Sequence, residues 1–159
     1  MLQKIVFAML CLAIIFDGCH FGTEMENSIQ SDKISCVTEN NALYMLSLSK
    51  TTFGLEDTLQ INFEVQNLSM PLKTFRFHNV QQCGFELKNQ DGIVVIYKPR
   101  IVQPAPSRFQ LNSFEKKQFS LQSLLHDGCG NTIRSGDYSL ETFLLIPSSP
   151  RVRLKVRVQ

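Results

Sequence analysis

The chain has 159 residues, 43% of them apolar, with a net charge of +2. It is long enough to bury one core, too apolar to be disordered, and too weakly charged to argue for a nucleic-acid partner. There is no Trp but there are 12 Phe, and bulky rings at alternating positions suit a layered β core.

Residues 1–18 read as an export signal. Lys4 precedes a continuous apolar run from Ile5 to Phe16. That run is too short for a mature transmembrane helix and suits the helical h-region of a signal peptide. Gly18-Cys19 resembles the small-residue–cysteine junction of bacterial lipoproteins, although Phe16 and Asp17 depart from its usual residues. The expectation is cleavage before Cys19 and lipidation of Cys19; ordinary cleavage between Gly18 and Thr23 is the alternative. Acyl chains on Cys19 hold a protein to a membrane leaflet, each buried CH₂ contributing ~0.8 kcal/mol. The expected location is therefore the bacterial cell envelope. Residues 19–41 are polar and weakly periodic, and are expected to form a flexible tether that includes Cys36.

The folded domain is then expected over 42–159. Residues 42–50 form a first strand, and Gly54 lies in the turn that follows. From Leu59 to Gln66 apolar and polar residues alternate without a break, the period of a strand with one dry face and one wet face. Asn67 to Pro71 supplies a turn, because Asn and Ser hydrogen-bond their own backbone and Pro fixes φ. Phe75 and Phe77 mark another alternating strand, and Phe85 and Leu87 the next. Asn89-Gln90-Asp91-Gly92 signals a tight hairpin. Residues 93–97 are apolar throughout, as expected for a strand covered on both faces or at an interface. Phe109 and Leu111 resume alternation, followed by Phe119 and Leu121. Gly128, Gly130 and Gly136 mark a loop. Residues 137–146 and 151–159 are the last two strands; Val152, Leu154, Val156 and Val158 face in, and Arg151, Arg153, Lys155 and Arg157 face out. About eight short strands with turn signals between them predict an all-β, antiparallel immunoglobulin-like sandwich, a flattened barrel being the alternative.

Three segments carry a family resemblance. They are residues 61–72, a strand ending in an Asn-x-Ser-x-Pro turn; residues 85–92, a strand into an acidic Gly hairpin; and residues 133–140, in which Gly136-Asp137-Tyr138 enters a long strand. In this order they are similar to the BsuPI-type intracellular proteinase inhibitor domain, over about residues 57–146. The resemblance implies an immunoglobulin-like sandwich and, as partner, a bacterial serine protease. The chain lacks the aromatic Trp often found after the hairpin, where Tyr97 stands nearest, and it carries an export signal.

Of the five cysteines, Cys11 lies in the signal and Cys19 is the lipidation candidate. In an exported protein Cys83 and Cys129 are expected to form a disulfide, worth up to about 4 kcal/mol in the chain-entropy model; two free thiols are the alternative. His78 and His126 precede these cysteines without tight zinc spacing, so no metal is expected. No nucleophile, zinc-protease or phosphate-loop motif is present, so the chain is expected to be no enzyme and to need no cofactor. The Arg and Lys stripe of the last strand reads as a wet face that discourages edge pairing. Asn67-Leu68-Ser69 matches a glycosylation sequon and reads as turn chemistry.

The candidate binding segment is residues 98–108. Pro99, Pro104 and Pro106 forbid a central strand and stiffen the unbound loop. One reading exposes Ile101 and Val102 to a partner, with Arg100 and Arg108 available to a specificity pocket. The other makes the segment a crossover with Ile101 and Val102 in the core. The function expected from these features is a lipid-anchored envelope protein whose sandwich binds a protein, a proteinase it inhibits. The alternative is a structural or ligand-binding envelope module.

Overall fold

The computed structural model describes residues 30–31 and 33–159; the expected signal, residues 1–18, and Cys19 lie outside the described residues. The described residues are all-β and contain no helix. The strands begin with β1 (Gln30–Ser31), β2 (Ile34–Glu39), β3 (Ala42–Leu48), β4 (Thr52–Phe53), β5 (Thr58–Asn67) and β6 (Lys73–Phe77). They continue with β7 (Cys83–Lys88), β8 (Val94–Lys98), β9 (Ser107–Leu111), β10 (Lys116–Leu124), β11 (Gly136–Leu144) and β12 (Val152–Val158). One sheet has the order β1-β2-β3-β5-β10, the second β4-β12-β11-β7-β8, and a small third sheet is β6-β9. All pairings are antiparallel except that of β4 with the end of β12.

The apolar faces of the two large sheets share one core. Leu59, Ile61, Phe63 and Val65 of β5 are all buried, and Gln60 and Asn62 are exposed, as the alternation requires. Phe85 and Leu87 of β7, Leu140 of β11, and Val152, Leu154, Val156 and Val158 of β12 supply the facing layer. Each such side chain contributes about 1.5–3 kcal/mol by leaving water. The third sheet closes the flank beside β10. Phe75 stacks on Phe109 at 4.6 Å, and Phe109 meets Phe119 of β10 edge-on at 5.8 Å. Lys117 lies in this flank too, with Nζ 4.5 Å from the Phe109 ring centre and donating to Gln82 Oε1 at 3.0 Å. β10 is an edge strand, and an inward-turned lysine opposes pairing with another chain.

Several sequence expectations are corrected. Within the expected tether, residues 34–39 form β2, and Cys36 is buried. The turn after it is Asn40-Asn41, with φ of 50° and 57°, the left-handed pair a two-residue hairpin needs. β8 is not covered on both faces. Among the described residues it pairs only with β7, at the sheet edge, leaving Ile93 and Val94 exposed. The expected Cys83–Cys129 bridge is absent. Cys83 faces the core, where burial pushes its thiol up to about 12 against the pull of Lys117, whereas Cys129 is exposed in the loop after β10.

Asn67, at the end of β5, is wholly buried. Its Nδ2 donates to the carbonyls of Pro71 at 2.8 Å, Leu111 at 3.2 Å and Asn112 at 3.1 Å. Its Oδ1 accepts from the Ser69 amide at 3.0 Å and hydroxyl at 2.7 Å. One side chain thus joins both places where the chain crosses between the first sheet and the third. Asn67→Ala strands these groups, and at about 1–3 kcal/mol for each unsatisfied buried group the domain is expected to lose at least ~3 kcal/mol in denaturant unfolding. Asn67→Asp, which turns an oxygen toward three carbonyls, is expected to be no better. A loss below about 1 kcal/mol in both variants contradicts this role.

Candidate functional site

The segment between β8 and β9 leaves the second sheet at Lys98 and enters the third at Ser107. Ile101 is 83% exposed and Val102 40%, so the core reading of these two residues does not hold. The loop is braced at several points. Gln103 N donates to Gln81 Oε1 at 2.9 Å, and its carbonyl accepts from Val80 N at 3.1 Å. The Arg100 guanidinium donates to the Asp127 carbonyl. The Asp127 carboxylate in turn accepts from the amides of Cys129 at 2.8 Å and Asn131 at 2.9 Å. Those bonds, the Asn131 amide foremost, hold its carboxyl below the usual range. Arg100 is therefore a brace between two loops. Arg108 lies apart from the loop tip, on β9 opposite Arg76.

On one side of this loop a cleft of about 570 Å³ opens over the outer face of the second sheet. Tyr97, Val102, Phe143, Leu145 and Arg151 line it, together with Asn79, whose buried Oδ1 has no hydrogen-bond partner among the described residues. The Arg151 guanidinium carbon sits 4.2 Å from the Phe143 ring centre, and Tyr97 stacks beside Phe143 at 6.5 Å. Phe143 is opposite Gly84 in register. A Cβ on Gly84 would lie 2.5 Å from the Lys98 carbonyl, so only glycine lets the base of the loop pass this close.

Next to the cleft is a charge cluster built by register. Glu141 on β11 lies between Glu86 and Lys88 on β7 and, on the other side, Arg151 just before β12 and Arg153 on it. Its carboxylate is 2.8 Å from Lys88, 3.2 Å from Arg151 and 2.8 Å from Arg153. Glu86 also meets Arg151 at 2.8 Å. Burial pushes the Glu141 carboxyl up, but Lys88, Arg153 and Arg151 outweigh it and hold it below the ordinary carboxylate range. All three arginines read as a plain wet face are ion-pair partners, Arg157 with Asp137 at 2.6 Å. The sequence shows these charges but not the strand order that brings them together, so neither Glu86 nor Glu141 was legible as part of a cluster.

Among the described residues no group of three His, Cys, Asp or Glu is placed to hold a metal ion. A group whose carboxyl is held low in the fold stabilises it above the unfolded pKa and loses that contribution as pH falls through the folded value. Glu141→Gln is therefore expected to destabilise the domain at pH 7 by roughly 1–3 kcal/mol, less than for fully buried pairs because the cations can rehydrate. The difference between wild type and variant is expected to shrink as the pH is lowered below the carboxylate range. Parallel denaturant curves at neutral and acid pH test this; a gap that persists in acid contradicts it.

No family model matches the chain, and no curated protein matches it. Among solved structures, a β-glucosidase from Erythrobacter marinus is similar over 87% of this chain and 16% of its own, with 11% identity and a TM-score of 0.47. A β-glucosidase from Listeria innocua is similar over 74% of this chain and 16% of its own, with 13% identity and a TM-score of 0.43. The CARDB domain of a Pyrococcus furiosus protein, solved in complex with di-metal ions, is similar over 72% of this chain and 84% of its own, with 11% identity and a TM-score of 0.40. The chain thus spans only about a sixth of the glucosidases it resembles. Likenesses of this size assign neither a fold family nor an activity to it.

Proposed function

We propose that this chain is an exported protein of the bacterial cell envelope, lipid-anchored at Cys19, whose immunoglobulin-like domain binds and inhibits a serine proteinase through residues 99–106. The observation that carries the binding reading is the exposure of Ile101 on a loop that is otherwise tied down by prolines and hydrogen bonds. A large apolar side chain held in water at the tip of a stiff loop gains from being covered. Little entropy is lost on binding because the loop is already ordered. An extended segment of this kind suits a proteinase cleft or peptide groove. The immunoglobulin-like class is supported at the entry to β11, where the Tyr138 hydroxyl donates to the Arg134 carbonyl at 2.6 Å. A tyrosine bonded back to the preceding corner is a feature of that class. The resemblance to the BsuPI-type inhibitor domain supports a serine proteinase as the partner.

Titrating subtilisin-like and trypsin-like proteinases with the full chain is expected to reduce their activity. Ile101→Asp is expected to weaken inhibition by at least about tenfold. The substitution lies on the surface, so stability should change by no more than about 0.5 kcal/mol. Inhibition that survives Ile101→Asp, or no inhibition of any serine proteinase, sinks the inhibitor reading. For the anchor, Cys19→Ala is expected to move the protein from the membrane fraction to the soluble fraction. A variant that is processed yet stays with the membrane shows that Cys19 is not the anchor.

A further inference from the structure

A second cleft, about 490 Å³ in volume, opens on the other side of the same loop. It lies where the end of β8 meets the end of β10 and the start of β5, across the gap between the two large sheets. Thr58, Gln122, Ser123 and Leu124 form one wall, and Lys98, Arg100, His126 and Gly130 the other. Its ionisable lining is entirely basic. The side chains of Lys98 and His126 make no hydrogen bond or ion pair among the described residues, and Arg100 uses one donor on the Asp127 carbonyl. The neighbouring acid, Asp127, turns its carboxylate onto the amides of its own loop and does not neutralise the cleft. An apolar side chain, Leu124, 53% exposed, lines the cleft beside this positive floor.

We propose that this cleft binds an acidic segment of a protein partner, with carboxylates set among Lys98, Arg100 and His126 and an apolar residue resting on Leu124. The inference deepens the loop reading above and rests on it. A volume of this size suits a ligand of several residues rather than a single inorganic ion. The cleft is open and continuous with the exposed loop, as an interface is. Unpaired basic groups around an apolar contact attract an acidic partner and set its register by charge complementarity.

The test is fluorescence anisotropy of the full chain with a labelled peptide in which glutamates flank two leucines. A peptide with glutamines in place of the glutamates is the control. The acidic peptide is expected to bind saturably, to weaken with rising salt, and to lose about tenfold or more in affinity with Lys98→Glu combined with His126→Glu. Lys155→Glu, a single charge reversal on the outer face of β12, is expected to leave affinity unaltered. Equal binding of the glutamine peptide overturns the proposal, as does an unchanged affinity in the Lys98 and His126 variant. So does displacement of the peptide by stoichiometric inorganic phosphate, which marks a small-anion site. If the peptide fails to bind while Ile101→Asp still abolishes inhibition, the acidic segment is wrong and the loop reading survives.

Discussion

The architecture depends on one buried amide. The chain leaves the first sheet after β5 for the small third sheet, and returns from it into β10. Both crossings expose backbone carbonyls to a dry corner, where an unsatisfied group costs about 1–3 kcal/mol. Asn67 satisfies three of them with one nitrogen and orders its own turn with its oxygen. An ester, an acid or an aliphatic side chain of the same size lacks that pair of donor and acceptor groups. Because the third sheet caps the core flank with Phe75, Phe77 and Phe109, this corner also decides how that end of the core is closed. The sequon match at Asn67 is therefore turn chemistry in a buried place.

The second sheet solves a different problem on its outer face. Its central strand, β11, carries Glu141 and Phe143 outward, yet both are nearly inaccessible to water. Long side chains from the flanking strands, and from Arg151 just before β12, lie over them. Arg151 covers the Phe143 ring and reaches both Glu86 and Glu141, while Lys88 and Arg153 close on Glu141 from either side. A carboxylate so enclosed is stable only while several cations remain within reach, which explains its low proton affinity. The outcome is a packed floor for the cleft that Val102 of the loop also lines.

That floor matters because the loop combines exposure with rigidity. Its apolar tip is in water, and its ends are held by Gln81, Val80 and Asp127. The aromatic cleft lies on one side and the basic cleft on the other, so the loop forms a ridge between two chemically distinct recesses. Gly84 permits the arrangement by leaving room for the Lys98 carbonyl at the base of the ridge.

What the sequence determined by itself is local. Alternation placed β5, β6, β7, β9 and β12 and their inward faces, because a strand with one wet side repeats every two residues. Prolines marked the loop, and Asp91-Gly92 marked the hairpin before β8. The strand at residues 34–39 was missed because its polar flanks outweighed a short apolar stretch, although Asn40-Asn41 carried the turn signal. The tertiary structure decided what depends on neighbours. An apolar run such as residues 93–97 reads the same at an edge as in a centre, and only the strand order makes β8 an edge. Ion pairs among Glu86, Lys88, Glu141, Arg151 and Arg153 need three strands in register, and no spacing along the chain encodes that. The same holds for Cys83 and Cys129. Compartment argued for a bond between them, but the direction of each side chain, one to the core and one to solvent, is set by the packing of the sheets.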